Sequence, residues 1–143
     1  MAEATAPEMT MPGNGEFCWT EIATTNLEEC KNFYSNVFGW EMKKSDNADA
    51  GMEYQEFSAS PNTYPMGGMY QISKEMFGEN PPPPHFMNYV SVDNVDDSTA
   101  KAVELGGSII KPPMEIPNVG RFSIIQDPTG GMVALITLAE GGM

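Results

Sequence analysis

The segment FCWTEIATTN, residues 17–26, places an indole and a carboxylate two positions apart. Read as a strand, its side chains alternate between faces, so Trp19 and Glu21 share one. A carboxylate held on an apolar face has its pKa raised by burial and is available as a base or a hydrogen-bond acceptor. An indole beside it offers a flat stacking surface for a ligand. The plain alternatives are that Trp19 fills a core and that Glu21 is an exposed or ion-paired strand residue. Arg121, in VGRF, is one of seven basic residues. It either anchors a ligand carboxylate or forms a structural ion pair. Twelve methionines are present, and Met52, Met69, Met87 and Met132 fall on strand-like runs. The last three are placed to line a ligand surface, because a thioether adapts to irregular shapes, although ordinary core packing accounts for most methionines. His85 is the single histidine, so any nucleophilic triad would rest on it alone. Glu53 and Glu56 fall on opposite faces of one strand, so at most one of them joins a site with Glu21 and His85. GNG and GGM lack the strand–loop–helix setting of a phosphate cradle.

These residues are positioned by a unit that occurs twice. Asn26 opens NLEECKNFYSNVFGW, with Glu29 placed to complete a capping box. Leu27, Cys30, Phe33, Tyr34, Val37 and Phe38 recur at helical steps, and Gly39 fits the position just past the end. Asn94 opens NVDDSTAKAVELGG in the same way, 68 residues later, with Val95, Ala102, Val103 and Leu105 as the apolar stripe. A strand-like run precedes each helix, FCWTEIAT and HFMNYVSV. Three follow each: WEMKK, MEYQEFSA and GGMYQIS, then SIIKPP, GRFSIIQD and MVALITL. QDPTGG reads as a tight turn joining the last two. Four successive prolines, 81–84, separate the copies and cannot join a central ladder. The predicted fold class is α+β: residues 16–138 form one domain of two tandem βαβββ modules, 16–75 and 85–138, with a linker at 76–84 and a flexible tail at 1–15.

With 143 residues and 41% hydrophobic content, the chain is long enough and apolar enough for one domain with a core. The formal charge of −13 repels phosphate backbones and anionic lipid, which argues against nucleic-acid and membrane-surface roles. No apolar run approaches the roughly 20 residues of a membrane span, and the start has no signal-peptide pattern. Cys18 and Cys30 do not make a disulfide framework, so free thiols and a cytoplasmic location are expected.

The two modules, FYSNVFGW, VDNVDD, ELGG and DPTGG together resemble the vicinal oxygen chelate superfamily of glyoxalases, bleomycin-resistance proteins and dioxygenases, over roughly residues 16–138. The resemblance implies curled mixed sheets enclosing a cleft, frequent homodimers, and, in metal-dependent members, a divalent cation held by His and Glu from four strands. That cation acts as a Lewis acid, often helped by a carboxylate base. On the family pattern the first ligand falls at Trp19, the matching one of the second module at Met87, and the last at Ala134; the remaining one falls near Met69 or Tyr70. An indole, a thioether and a methyl group are not ligands for a hard cation. No metal ligand and no cofactor are therefore expected.

The expected function is binding of a small apolar or aromatic molecule in the cleft. Trp19, Met69, Met87, Tyr89, Met132, Ala134 and Arg121 would be its lining, and Glu21 the one candidate catalytic residue. The alternative is a glyoxalase-type enzyme, a lactoylglutathione lyase-like lyase or isomerase, or a dioxygenase-like oxidoreductase, with a relocated metal site involving His85.

Overall fold

The computed structural model describes residues 11–45, 53–61 and 63–139; Met52 lies outside the described residues. The elements run β1 (Phe17–Thr24), α1 (Leu27–Phe38), β2 (Glu41–Lys44), β3 (Tyr54–Ser58), β4 (Gly67–Gln71), α2 (Lys74–Phe77), β5 (His85–Ser91), α3 (Val95–Glu104), β6 (Ser108–Ile116), β7 (Gly120–Gln126) and β8 (Met132–Leu138). The βαβββ unit thus occurs twice in an α+β fold. The one-turn helix α2 begins ahead of the expected linker, where the sequence pattern predicts no element.

Both long helices start alike. Asn26 (φ −148°, ψ 97°) and Asn94 (φ −150°, ψ 107°) are extended, and each side-chain oxygen accepts from the backbone N–H three residues on, at 3.0 Å. This satisfies one of the four N–H groups that a helix start leaves unpaired. The reciprocal half of the expected capping box is not the bond seen at α1. The Asn26 N–H donates to Thr24 Oγ1 at 3.2 Å, so a hydroxyl from β1 takes the part expected of Glu29. Gly39, at φ 74°, closes α1 by donating to the Ser35 carbonyl, in a conformation that costs glycine little.

The chain divides into two compact units. In the first, residues 22–85, the strand order is β2-β3-β4-β1, with β1 represented by Ile22–Thr24, and both β2–β3 and β3–β4 are antiparallel. Its core is Ile22, Leu27, Phe57 and Met69, with Cys30, Tyr34, Trp40 and Met42 packed against it. The Trp40 ring stacks on Phe57 at 4.5 Å between centroids. The apolar stripe read along α1 is wider than what is buried, since Phe33, Val37 and Phe38 remain exposed.

In the second unit the order is β1-β5-β8-β7-β6, with β1 represented by Phe17–Glu21. The sheet is mixed, because β5 and β8 are parallel while β7–β8 and β6–β7 are antiparallel. The N-terminal approach is tied to β5: Gly15 N–H donates to the Ser91 carbonyl at 2.7 Å, and Asp93 N–H donates to the Asn14 side chain at 2.9 Å. Two differences from the sequence reading stand out. The buried side of α3 runs through Val95 and Thr99 rather than Val103 and Leu105, which are exposed. Thr99 is tolerated inside because its hydroxyl donates to the Val95 carbonyl at 2.6 Å and meets Ser123 Oγ at 2.7 Å. β6 also continues through Pro112 and Pro113 to Ile116, beyond the SIIKPP run. It is the last strand of the order, and its pairing with β7 shifts register twice around these prolines. A proline lacks a ladder donor, and such edge and bulge positions are where that loss is tolerated.

A Cβ built on Gly120 would overlap the Thr137 carbonyl oxygen of the neighbouring strand. Gly120→Ala is therefore expected to destabilise by about 2 kcal/mol or more, as overpacking against backbone does. Asn26→Ala and Asn94→Ala should each cost about 1 kcal/mol. Urea unfolding midpoints check all three.

Candidate functional site

The register of the second unit determines which side chains share a face. Tyr89 pairs with Ala134, Ala134 with Ile124, and Ile136 with Phe122, so these residues lie on one side of the sheet. Ser123, one residue from Phe122 and Ile124, lies on the other side, where it meets Thr99 of α3. The first face holds Met87, Tyr89, Phe122, Ala134 and Ile136, all buried, with Trp19, Ile124, Ile116 and Leu138 among the residues packed against them. The Tyr89 and Phe122 rings lie 6.3 Å apart and tilted by 35°.

At the β1 end of this face sits the polar group raised by the opening segment. Tyr89 donates its hydroxyl hydrogen to Glu21 Oε1 at 3.0 Å. Both Glu21 and Trp19 are half-buried. The arrangement is a phenol–carboxylate pair beside an indole, on an otherwise apolar surface. Such a pair presents acceptor oxygens to one polar group of a ligand, while the indole and thioethers take its apolar part. On the opposite face of the same two strands, Thr20 Oγ1 donates to Asn88 Oδ1 at 2.8 Å. Both contacts join residues 68 apart, the interval between the two helix caps. Equivalent residues of the repeat therefore meet each other where β1 and β5 run side by side. Applying that interval to Glu21 in the sequence would have pointed to Tyr89 as its partner.

The other expected site residues are distributed differently. Met87, Tyr89 and Ala134 lie on the face but belong to its buried part. Ala134 is 0% exposed and Met132, on the same face, is 52% exposed. Met69 is not on this face: it is fully buried in the first unit's core with Ile22, Leu27 and Phe57. Of the two alternatives near the end of module one, Tyr70 and not Met69 points away from that core, because adjacent strand residues alternate. Arg121 is one residue from Phe122 and so lies on the α3 side. Its Nε donates to Asp96 at 2.8 Å, and Nη1 lies 3.5 Å from Glu115, so the structural ion pair is the reading that the geometry supports. The Arg121 guanidinium beside it holds the Asp96 carboxyl below its ordinary value. His85 opens β5, with Nδ1 2.8 Å from the Pro83 carbonyl, which requires the proton on that nitrogen. Cys18 and Cys30 are free, and burial pushes both thiols up, which keeps them protonated and weakly nucleophilic.

A divalent cation does not fit the residues that stand at the family-pattern positions. Trp19 and Ala134 have no side-chain lone-pair ligand to give, and Met87 offers only a soft sulfur. Among the described residues, no three His, Cys, Asp or Glu side chains come together.

In the first unit, Tyr54, which pairs with Tyr70, lies across Gly68, which pairs with Glu56. A Cβ at Gly68 would overlap the Tyr54 ring. This tyrosine-covered patch was missed in the sequence because the glycine that admits the ring comes from a different strand.

The family model for the Glyoxalase/Bleomycin resistance protein/Dioxygenase superfamily matches residues 17–135. CFP32 of Mycobacterium tuberculosis, a glyoxylase by name, is 30% identical over 123 residues, covering 82% of this chain and 43% of that protein. The anthracycline biosynthesis protein DnrV of Streptomyces peucetius is 25% identical over 134 residues, covering 89% of this chain and 48% of its own length. The chain thus spans less than half the length of these two relatives. Methylmalonyl-CoA epimerase from Mycobacterium tuberculosis superposes with a TM-score of 0.60 at 14% identity, covering 92% of this chain and 93% of the epimerase, a likeness of fold.

Two outcomes test the geometry. A double-mutant cycle with Tyr89→Phe and Glu21→Gln is expected to give a coupling of about 1–2 kcal/mol, as for a hydrogen bond to a charged group. Asp96 is ionised in the unfolded chain above its ordinary value of 3.8, and its folded value is lower. The stabilisation from the Asp96–Arg121 pair is thus complete above that value and lost as pH falls through the folded one. Asp96→Asn should flatten the acid limb of stability against pH, followed by urea unfolding between about pH 2 and about pH 6.

Proposed function

We propose, from the premise that this chain belongs to the Glyoxalase/Bleomycin resistance protein/Dioxygenase superfamily, that it binds a small flat apolar or aromatic molecule against Trp19 without the usual divalent metal. The observation that carries this reading is the half-buried indole beside the Glu21–Tyr89 pair on a face of Met, Phe and Ile. Trp19, Met87 and Ala134 offer no ligand suited to a hard cation, and the surface they form suits stacking. The name of DnrV points the same way, since anthracyclines are fused aromatic ring systems. The Glu21 carboxylate and the Tyr89 hydroxyl would orient one polar substituent of the ligand. Sequestration of this kind requires no catalytic step. A homodimer, implied by the resemblance, is part of the same proposal.

A second reading follows from the same pair. A carboxylate held by a tyrosine hydroxyl is a candidate base for proton abstraction from a bound substrate, which would make the protein a lyase or isomerase of the glyoxalase type. In that reading Glu21→Gln abolishes turnover, and any turnover left intact excludes Glu21 as the base. Elemental analysis of protein purified without chelators separates the two. Stoichiometric nickel, zinc, manganese or iron favours the enzyme.

In a Trp40→Phe background, Trp19 is the only indole. Its fluorescence is expected to be quenched saturably by planar polycyclic quinones, and Trp19→Ala to weaken their binding at least tenfold. Ligand at about 100 times Kd should add about 2.7 kcal/mol to stability. An unchanged spectrum and an unchanged melting temperature across such a panel would refute ligand binding at this face.

A further inference from the structure

The proline run takes no part in the site described above. We propose that Phe77–Pro84 is a docking segment for a protein domain that has an aromatic-lined, proline-binding groove with a basic rim. Each proline holds its own φ near about −65°, and each residue followed by proline is excluded from the helical region. Asn80, Pro81, Pro82 and Pro83 all precede a proline, so these four residues are confined to extended, polyproline-type geometry. Past Phe77, the end of α2, residues 78–84 belong to neither a helix nor a strand, and the chain contains no cis peptide bond among the described residues. Pro81, Pro83 and Pro84 are exposed and Pro82 is half-buried. With three residues per turn, Pro81 and Pro84 fall on one edge about 9 Å apart, the spacing at which a groove reads two prolines. His85 Nδ1 fixes the end of the run by donating to the Pro83 carbonyl at 2.8 Å.

The run Pro81–Pro84 is thus already in the conformation such grooves select, and binding it orders little additional chain. The partner's charge follows from the flanks. Glu75 and Glu79 are exposed just before the prolines, on a chain of net charge −13, and an acidic rim would repel them. Phe77, exposed four residues before Pro81, supplies an apolar side anchor.

The test titrates the full ¹⁵N-labelled chain with isolated EVH1, WW and SH3 domains chosen with basic and with acidic rims. A basic-rimmed domain is expected to shift the amides of Phe77, Gly78, Glu79, Asn80 and His85 and no distant group, with affinity falling as salt rises. Pro81→Ala with Pro84→Ala should weaken it at least tenfold at an unchanged melting temperature. Should that variant unfold, Glu79→Lys serves instead, weakening the basic-rimmed domain and not the acidic-rimmed one. Unmoved amides with every domain, shifts elsewhere, or full affinity in the variants would each overturn the proposal.

Discussion

A half-buried carboxylate has to be satisfied, and in this chain Glu21 is satisfied by the Tyr89 hydroxyl. That contact joins the same place in two copies of one unit, and it forms only where β1 runs beside β5. β1 is also the strand both compact units share, Phe17–Glu21 belonging to one and Ile22–Thr24 to the other. The strand therefore has two tasks. Ile22 seals the core under α1, while Trp19 and Glu21 furnish the polar end of an apolar face in the second unit. Change the alternation along these eight residues and both would be lost together.

The superfamily's usual chemistry asks for hard ligands on inward-facing strand positions. Here those positions have been given to groups that pack. Tyr89 pairs with Ala134 across β5 and β8, and Met87 belongs to the same buried cluster. The hydroxyl of Tyr89 then reaches Glu21. The face is therefore a packed apolar surface with the Glu21–Tyr89 pair at its margin. The exposed thioether of Met132 and the half-buried indole are what such a surface presents outward.

Much of the architecture was legible because it is written locally. A helix cap needs one asparagine and the N–H three residues on, and both caps formed with matching geometry. The turn at Asp127–Gly130 closed as its proline and glycine required, with Gly130 N–H donating to the Asp127 carbonyl at 3.0 Å. What was misread or left open depended on partners far along the chain. Thr99 lies outside the apolar stripe read along α3, and its burial depends on the Ser123 hydroxyl brought against it. Arg121 stays open between a ligand anchor and a structural ion pair until Asp96, at the start of α3, supplies a bidentate partner. The run SIIKPP ends at its prolines in the sequence, whereas β6 continues past them to Ile116 as the last strand of the order.

The linear order of residues by itself determined the repeat, its secondary structure and the alternation that puts Trp19 and Glu21 together, because these follow from hydrogen bonds and side-chain directions spanning a few positions. It also determined which atoms are available at the family's ligand positions. Only the tertiary structure decided that Met69 belongs to a core, that Arg121 belongs to α3 and that Glu21 belongs to Tyr89. Strand register and neighbour order bring residues dozens of positions apart within hydrogen-bonding distance, and that choice rests on which faces the whole chain can bury at once.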